Sequence, residues 1–179
     1  MMTTCLPDLQ PRHHLYDDRF FKFIGSTINE EVNSRNYSLN KDEKLEELLN
    51  NFEIKESKMN ILEEPTDKLI YVSLGTIFNS DLRVYKIILK AFKTIDLEPF
   101  ETRSNIKLKN LKIIISTGSI VYNKFQELLG DNEYKLPENM ILVKSAPQTE
   151  ILKRASLFVT HCGMNSTSES VHYGGYYKI

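Results

Sequence analysis

Four short apolar runs constrain this chain more than any other feature. They are Leu69-Ile70-Tyr71-Val72-Ser73, Lys112-Ile113-Ile114-Ile115-Ser116, Met140-Ile141-Leu142-Val143-Lys144 and Leu157-Phe158-Val159-Thr160. Each is nearly continuous in apolar or β-branched residues, a pattern that suits strands covered on both faces, as in a parallel sheet. Helical patterns lie between them. Leu82, Tyr85, Ile88, Leu89 and Phe92 fall on one face, with Asn79 or Ser80 as the expected N-cap and Asp81 in the first turn. Tyr122, Phe125, Leu128 and Leu129 repeat the pattern before Gly130, read as a stop signal. Shorter helices are expected over Thr149 to Ala155 and Asn165 to Tyr173. Strands alternating with helices predict a doubly wound α/β sheet, with every strand ending along one edge, where ligands bind in such folds.

The N-terminal part reads differently. Phe20-Phe21-Lys22-Phe23-Ile24, ending at Gly25, is a fifth strand candidate. Residues 26–64 are rich in Asn, Glu and Lys and read as a connector carrying one amphipathic helix, marked by Leu45, Leu48, Leu49 and Phe52. Residues 96–110 read as a polar surface insertion.

Composition narrows the function classes. With 41% hydrophobic and 26% charged residues the chain is too apolar to be wholly disordered, and its net charge of −1 gives no electrostatic case for nucleic acid or an acidic membrane surface. No run approaches the ~20 apolar residues of a membrane helix, and the first residues lack the basic and apolar regions of a secretory signal. A soluble, cytoplasmic chain is expected, with Cys5 and Cys162 as free thiols in a reducing compartment.

Three segments carry candidate chemistry. Thr160-His161-Cys162-Gly163-Met164-Asn165-Ser166-Thr167-Ser168-Glu169 follows an apolar strand and opens a helix. A helix N-terminus offers unpaired N–H groups and a positive dipole end, which suit a phosphate. Gly163 allows close backbone approach, Asn165 and Ser166 can add donors, and His161 can donate to a phosphate oxygen. Glu169, one turn on, is placed to accept from ribose hydroxyls. The same turn also reads as an ordinary cap with His161 as a satisfied core histidine. Gly75-Thr76, after the first strong strand, is either another phosphate-facing turn or a plain βα turn. Ala146-Pro147-Gln148 supplies a rigid loop and an amide that can pair with the edge of a base.

In their order and approximate spacing, Val72-Ser73-Leu74-Gly75-Thr76, Ala146-Pro147-Gln148-Thr149-Glu150-Ile151-Leu152 and the His161–Glu169 segment resemble the family 1 UDP-glycosyltransferases. That group includes UDP-glucuronosyltransferases, plant secondary-metabolite glycosyltransferases and bacterial macrolide glycosyltransferases. The 13-residue step from Gln148 to His161 is most similar to the macrolide branch. Leu9-Gln10-Pro11 followed by Phe23-Ile24-Gly25 is similar to the end of that family's acceptor domain, so the resemblance covers most of residues 7–175.

The resemblance implies a GT-B fold, two Rossmann-like domains facing a cleft. This chain would be an incomplete nucleotide-sugar-binding domain over 65–179, after an acceptor-domain remnant over 1–25 and a connector over 26–64. It implies a UDP-sugar donor bound without metal or other cofactor. His161, Asn165 and Ser166, with Gly163 in their turn, would meet the diphosphate, Thr76 would approach it from the other side, Glu169 would hold the ribose, and Ala146 and Gln148 the uracil. Sugar would pass with inversion to a hydroxyl of a small lipophilic acceptor, activated by a histidine of the acceptor domain. His13 and His14 do not match that position, so no catalytic residue is assigned. A full-length relative could be membrane-anchored.

The chain departs from the family's pattern. Ser145 stands where the family carries an aromatic that stacks on uracil. After Gly174 the family continues through a Val-Pro turn into another strand, then an Asp-Gln pair on the sugar hydroxyls; here Gly175-Tyr176-Tyr177-Lys178-Ile179 follows. The last helix is therefore expected to lack its next strand and the isolated chain to be marginally stable, with an open sheet edge. Two other readings are a donor-binding subunit working with a separate acceptor chain, and a non-catalytic remnant. A Rossmann dehydrogenase is disfavoured, because no G-x-G-x-x-G follows any strand.

Overall fold

The computed structural model describes residues 2–3, 7, 10–24, 28, 43–52, 67–75, 80–93, 110–130, 136–174 and 176–178. Its centre is a five-stranded parallel sheet. The strands are β3 (Asp67–Ser73), β4 (Asn110–Ser116), β5 (Met140–Val143), β6 (Leu157–Thr160) and β7 (Tyr176–Lys178), in the spatial order β5-β4-β3-β6-β7. The chain winds outward from β3 through β4 to β5, then returns to the other side of β3 to lay down β6 and β7. Strand order therefore reverses between β3 and β6, the place where open α/β sheets bind ligands.

The helices explain why the four apolar runs are nearly continuous. On one face, Tyr85 and Leu89 of α2 (Leu82–Lys93) and Val121 and Phe125 of α3 (Gly118–Gly130) bury against Val72, Ile113, Ile115 and Leu142. On the other face, Leu45, Leu48, Leu49 and Phe52, in and just after α1 (Glu43–Asn50), join Ile151 and Leu152 of α4 (Gln148–Leu152) over Leu69, Tyr71, Ile114 and Phe158. The helix expected within the connector is thus a layer of the core. Tyr71 and Phe158, paired in register, stack with centroids 5.1 Å apart and planes 9° apart.

The structure changes several expectations. Asp81, rather than Ser80, caps α2, its Oδ1 accepting from the Arg83 amide at 2.9 Å; Asn79, the other expected cap, lies outside the described residues. A carboxylate adjoining the helix reaches that second amide directly, and its charge suits the dipole. The Phe20–Ile24 candidate shrinks to β2 (Lys22–Phe23), paired in parallel with β1 (Met2–Thr3) in a separate two-stranded sheet. Phe20 and Ile24 are exposed, while Phe21 and Phe23 pack only against Tyr16 among the described aromatic rings, so the run stays outside the main core. The last helix, α5 (Met164–His172), does have a following strand, since β7 pairs in parallel with β6, placing Leu157 against Tyr176. Three residues suffice because backbone hydrogen bonds to β6 need no particular side chains. The polar insertion at 96–110 falls almost wholly outside the described residues, as does Cys5, while Cys162 is a free thiol.

Two buried phenols yield tests of this core. The Tyr85 side chain is buried, and its hydroxyl meets no partner among the described residues. An orphaned buried hydroxyl costs about 1–3 kcal/mol. Tyr85→Phe should therefore leave the melting temperature unchanged or raise it, and a drop of several degrees in a thermal scan would contradict the packing. Burial pushes the Tyr71 phenol up to about 12, with the Glu169 carboxylate acting in the same direction and the Ser73 and Ser116 hydroxyls opposing it. The folded state thus holds the proton more tightly than the unfolded chain. The associated stability is complete below about pH 10 and is lost as pH rises towards 12, a change on the order of 2–3 kcal/mol. Denaturant midpoints measured across that window should fall more steeply for the native protein than for Tyr71→Phe.

Candidate functional site

The turn after β6 stands at the reversal point. Thr160 ends the strand, Cys162 takes a left-handed conformation (φ 59°), and Gly163 opens α5 at φ −58°, ψ 143°. A cysteine in that conformation is strained by on the order of 1–2 kcal/mol, the kind of cost found at binding turns. The helix has no side-chain cap, and the Gly163 carbonyl accepts from the Thr167 amide at 2.9 Å. Among the described residues, no acceptor meets the first-turn amides of Met164 and Asn165. The α3 turn provides the contrast. There the Thr117 and Gly118 amides are taken up by the Val143 and Lys144 carbonyls, at 3.0 and 2.9 Å. The α5 turn thus leaves first-turn amides open at the C-terminal edge of the sheet.

His161 lies across the C-terminal ends of the paired strands β6 and β3. Its exposed ring packs against the backbone of Gly75, the residue past Leu74 at the end of β3, and against Gly163 on its own turn. A Cβ on Gly75 would overlap His161 Cε1 and lie 2.8 Å from Nε2; a Cβ on Gly163 would lie 2.7 Å from Nε2. Gly75 also has φ +82°, a conformation side chains disfavour. The strand–glycine signal was visible in the sequence, but its contact with a histidine 86 residues later was not.

A second group gathers beside the turn. Ser166 and Glu169 are three apart on α5 and so share a face. Gln148, the first residue of α4, donates its amide nitrogen to Glu169 Oε2 at 2.6 Å and to Ser166 Oγ at 3.2 Å. Both Gln148 donors are therefore turned toward α5, leaving its carbonyl oxygen and Glu169 Oε1 as the free acceptors of the group. Ala146 is half-buried against the core beneath this loop, and Ser145 is exposed. Asn165 is exposed in the first turn of α5. Seven of the eight expected site residues thus lie on two neighbouring loop–helix junctions; Thr76 lies outside the described residues. Tyr71 was not foreseen near these residues: after burial, the Glu169 carboxylate adds to the upward shift of its phenol. Among the described residues no group of three or more His, Cys, Asp or Glu side chains converges on a metal position, and no helix is long and apolar enough to cross a membrane.

No family model matches the chain. Among curated proteins it is 28% identical to NDP-glycosyltransferase YjiC of Bacillus subtilis over 165 residues, 92% of this chain and 31% of that protein. It is 38% identical over 107 residues to uncharacterized UDP-glucosyltransferase YojK of Bacillus subtilis, covering 60% of this chain and 21% of that one. The chain thus spans about a third or less of the curated relatives it matches. Among solved structures, Os79 from O. sativa in complex with UDP superposes with a TM-score of 0.60 at 19% identity, over 98% of this chain and 36% of that one. The calicheamicin glycosyltransferase CalG4 superposes with a TM-score of 0.55 at 15% identity, covering 98% and 33%. In sequence the chain is thus similar to UDP- and NDP-glycosyltransferases, and in fold to the GT-B glycosyltransferases of family 1, over about a third of their length.

Proposed function

We propose that the chain binds the nucleotide of a UDP-sugar and forms the donor side of a hexosyl- or glucuronosyltransferase. One observation carries this reading: the His161 ring and the open N-terminus of α5 meet at the reversal point between β3 and β6, and both offer donors that suit an anion. Amides pointing along a helix dipole favour a diphosphate, and a histidine beside them adds a donor without requiring metal. The likeness to UDP-glycosyltransferases supports the choice of nucleotide. Glu169, steadied by Gln148, offers a free carboxylate oxygen to a ribose hydroxyl, while the Ala146 backbone and the Gln148 carbonyl face the base.

The chemistry follows from that placement. An acceptor hydroxyl loses its proton and attacks the anomeric carbon from the face opposite the UDP. The new C–O bond forms as the sugar–phosphate bond breaks, so the sugar inverts, and UDP departs carrying the bonding electrons. Charge grows on the diphosphate as it leaves. Fixed amides and His161 hold that charge more tightly in the transition state than in the bound donor. The base and the pocket for a small lipophilic acceptor belong to a further domain of the whole enzyme. The exposed Ser145 favours a second outcome, a donor site that binds uridine weakly because no ring stacks on the base.

Titration calorimetry with UDP should show saturable binding without added metal. His161→Ala should weaken it by roughly 10- to 100-fold, the worth of one hydrogen bond to a charged group. No heat of binding up to millimolar UDP would sink the proposal. Ser145→Trp should tighten UDP by roughly 5- to 100-fold if base stacking is what the native site lacks. Unchanged affinity would remove the uracil from that loop.

A further inference from the structure

We propose that Gly75 and Gly163 are positioning residues whose missing side chains hold the His161 imidazole across the ends of β3 and β6, so that ring orientation sets the affinity of the turn for a diphosphate. The inference rests on the donor-site reading above, adds Gly75 to it and gives Gly163 a further role, both acting through His161.

The argument begins with what does not hold the ring. Among the described residues neither nitrogen of His161 makes a hydrogen bond, and the side chain is exposed. An exposed imidazole without a partner ordinarily samples several rotamers. Here its position is limited by shape. The ring rests on the bare Cα of Gly75 on one side and of Gly163 on the other, where a methyl group would lie 2.8 and 2.7 Å from Nε2. With both ring nitrogens uncommitted, one can donate to a phosphate oxygen and no internal bond is broken. Ordering the ring before the ligand arrives spares part of the entropy that binding would otherwise cost.

The two glycines differ in a way that makes the idea testable. At Gly75, φ is +82°, so alanine there strains the backbone as well as striking the ring. Gly163 has φ −58°, which alanine adopts freely, and its collision is with the far end of a movable side chain. Gly163→Ala should therefore leave the backbone in place and push the imidazole away.

The experiment compares UDP affinity by calorimetry for the 179-residue chain, Gly163→Ala, His161→Ala and the double variant. It also records the nuclear Overhauser contact between the His161 Hε1 proton and the Gly75 α-protons. Gly163→Ala should weaken UDP about 10-fold with its melting temperature within a few degrees of native, and the double variant should bind no more weakly than His161→Ala. The contact to Gly75 should be present in the native chain and lost in Gly163→Ala. Native affinity in Gly163→Ala, or losses that simply multiply in the double variant, would overturn the positioning role while leaving the UDP site intact. A native chain that binds no UDP would instead overturn the donor-site reading, and this inference with it. Should Gly163→Ala not fold, the native contact decides alone, and its absence refutes the cradle.

Discussion

The structure depends on one constraint: β3 and its neighbours must be covered on both faces. A strand buried on two sides cannot alternate polar with apolar residues, and Leu69 through Val72 do not. Covering both faces requires helices that cross over the sheet, and crossovers that return the chain to the same end keep every strand parallel. Once the strands are parallel, all their C-terminal ends lie along one edge. The site at that edge is thus a consequence of how the core is buried.

That edge is polar where the core is not. Ser73, Ser116 and Thr160 occupy one register at the ends of three adjacent strands, two residues beyond the apolar layer of Tyr71, Ile114 and Phe158. The Tyr71 ring stacks on Phe158, while its phenol senses Glu169.

Local rules were legible wherever one element decided its own form. The strand positions, the apolar faces of α1 and α2, and the inward Ile151 and Leu152 follow from periodicity and need no partner to be named. Periodicity failed at Phe20–Ile24, because an apolar run becomes a core strand only if a sheet is present to receive it. It also missed β7, whose pairing with β6 rests on backbone hydrogen bonds available to any sequence near a free strand edge. The Asp81 cap turned on a one-residue difference in reach.

The sequence by itself determined the class of fold, the turn that opens at His161, and the kinship with glycosyltransferases, since each is written in contiguous residues. Only the tertiary structure decided that His161 rests on Gly75 and that Gln148 clasps Ser166 and Glu169. Those contacts join residues far apart in the chain. They exist because the strand order reverses at β3, a choice made by how whole layers pack and not by any one segment.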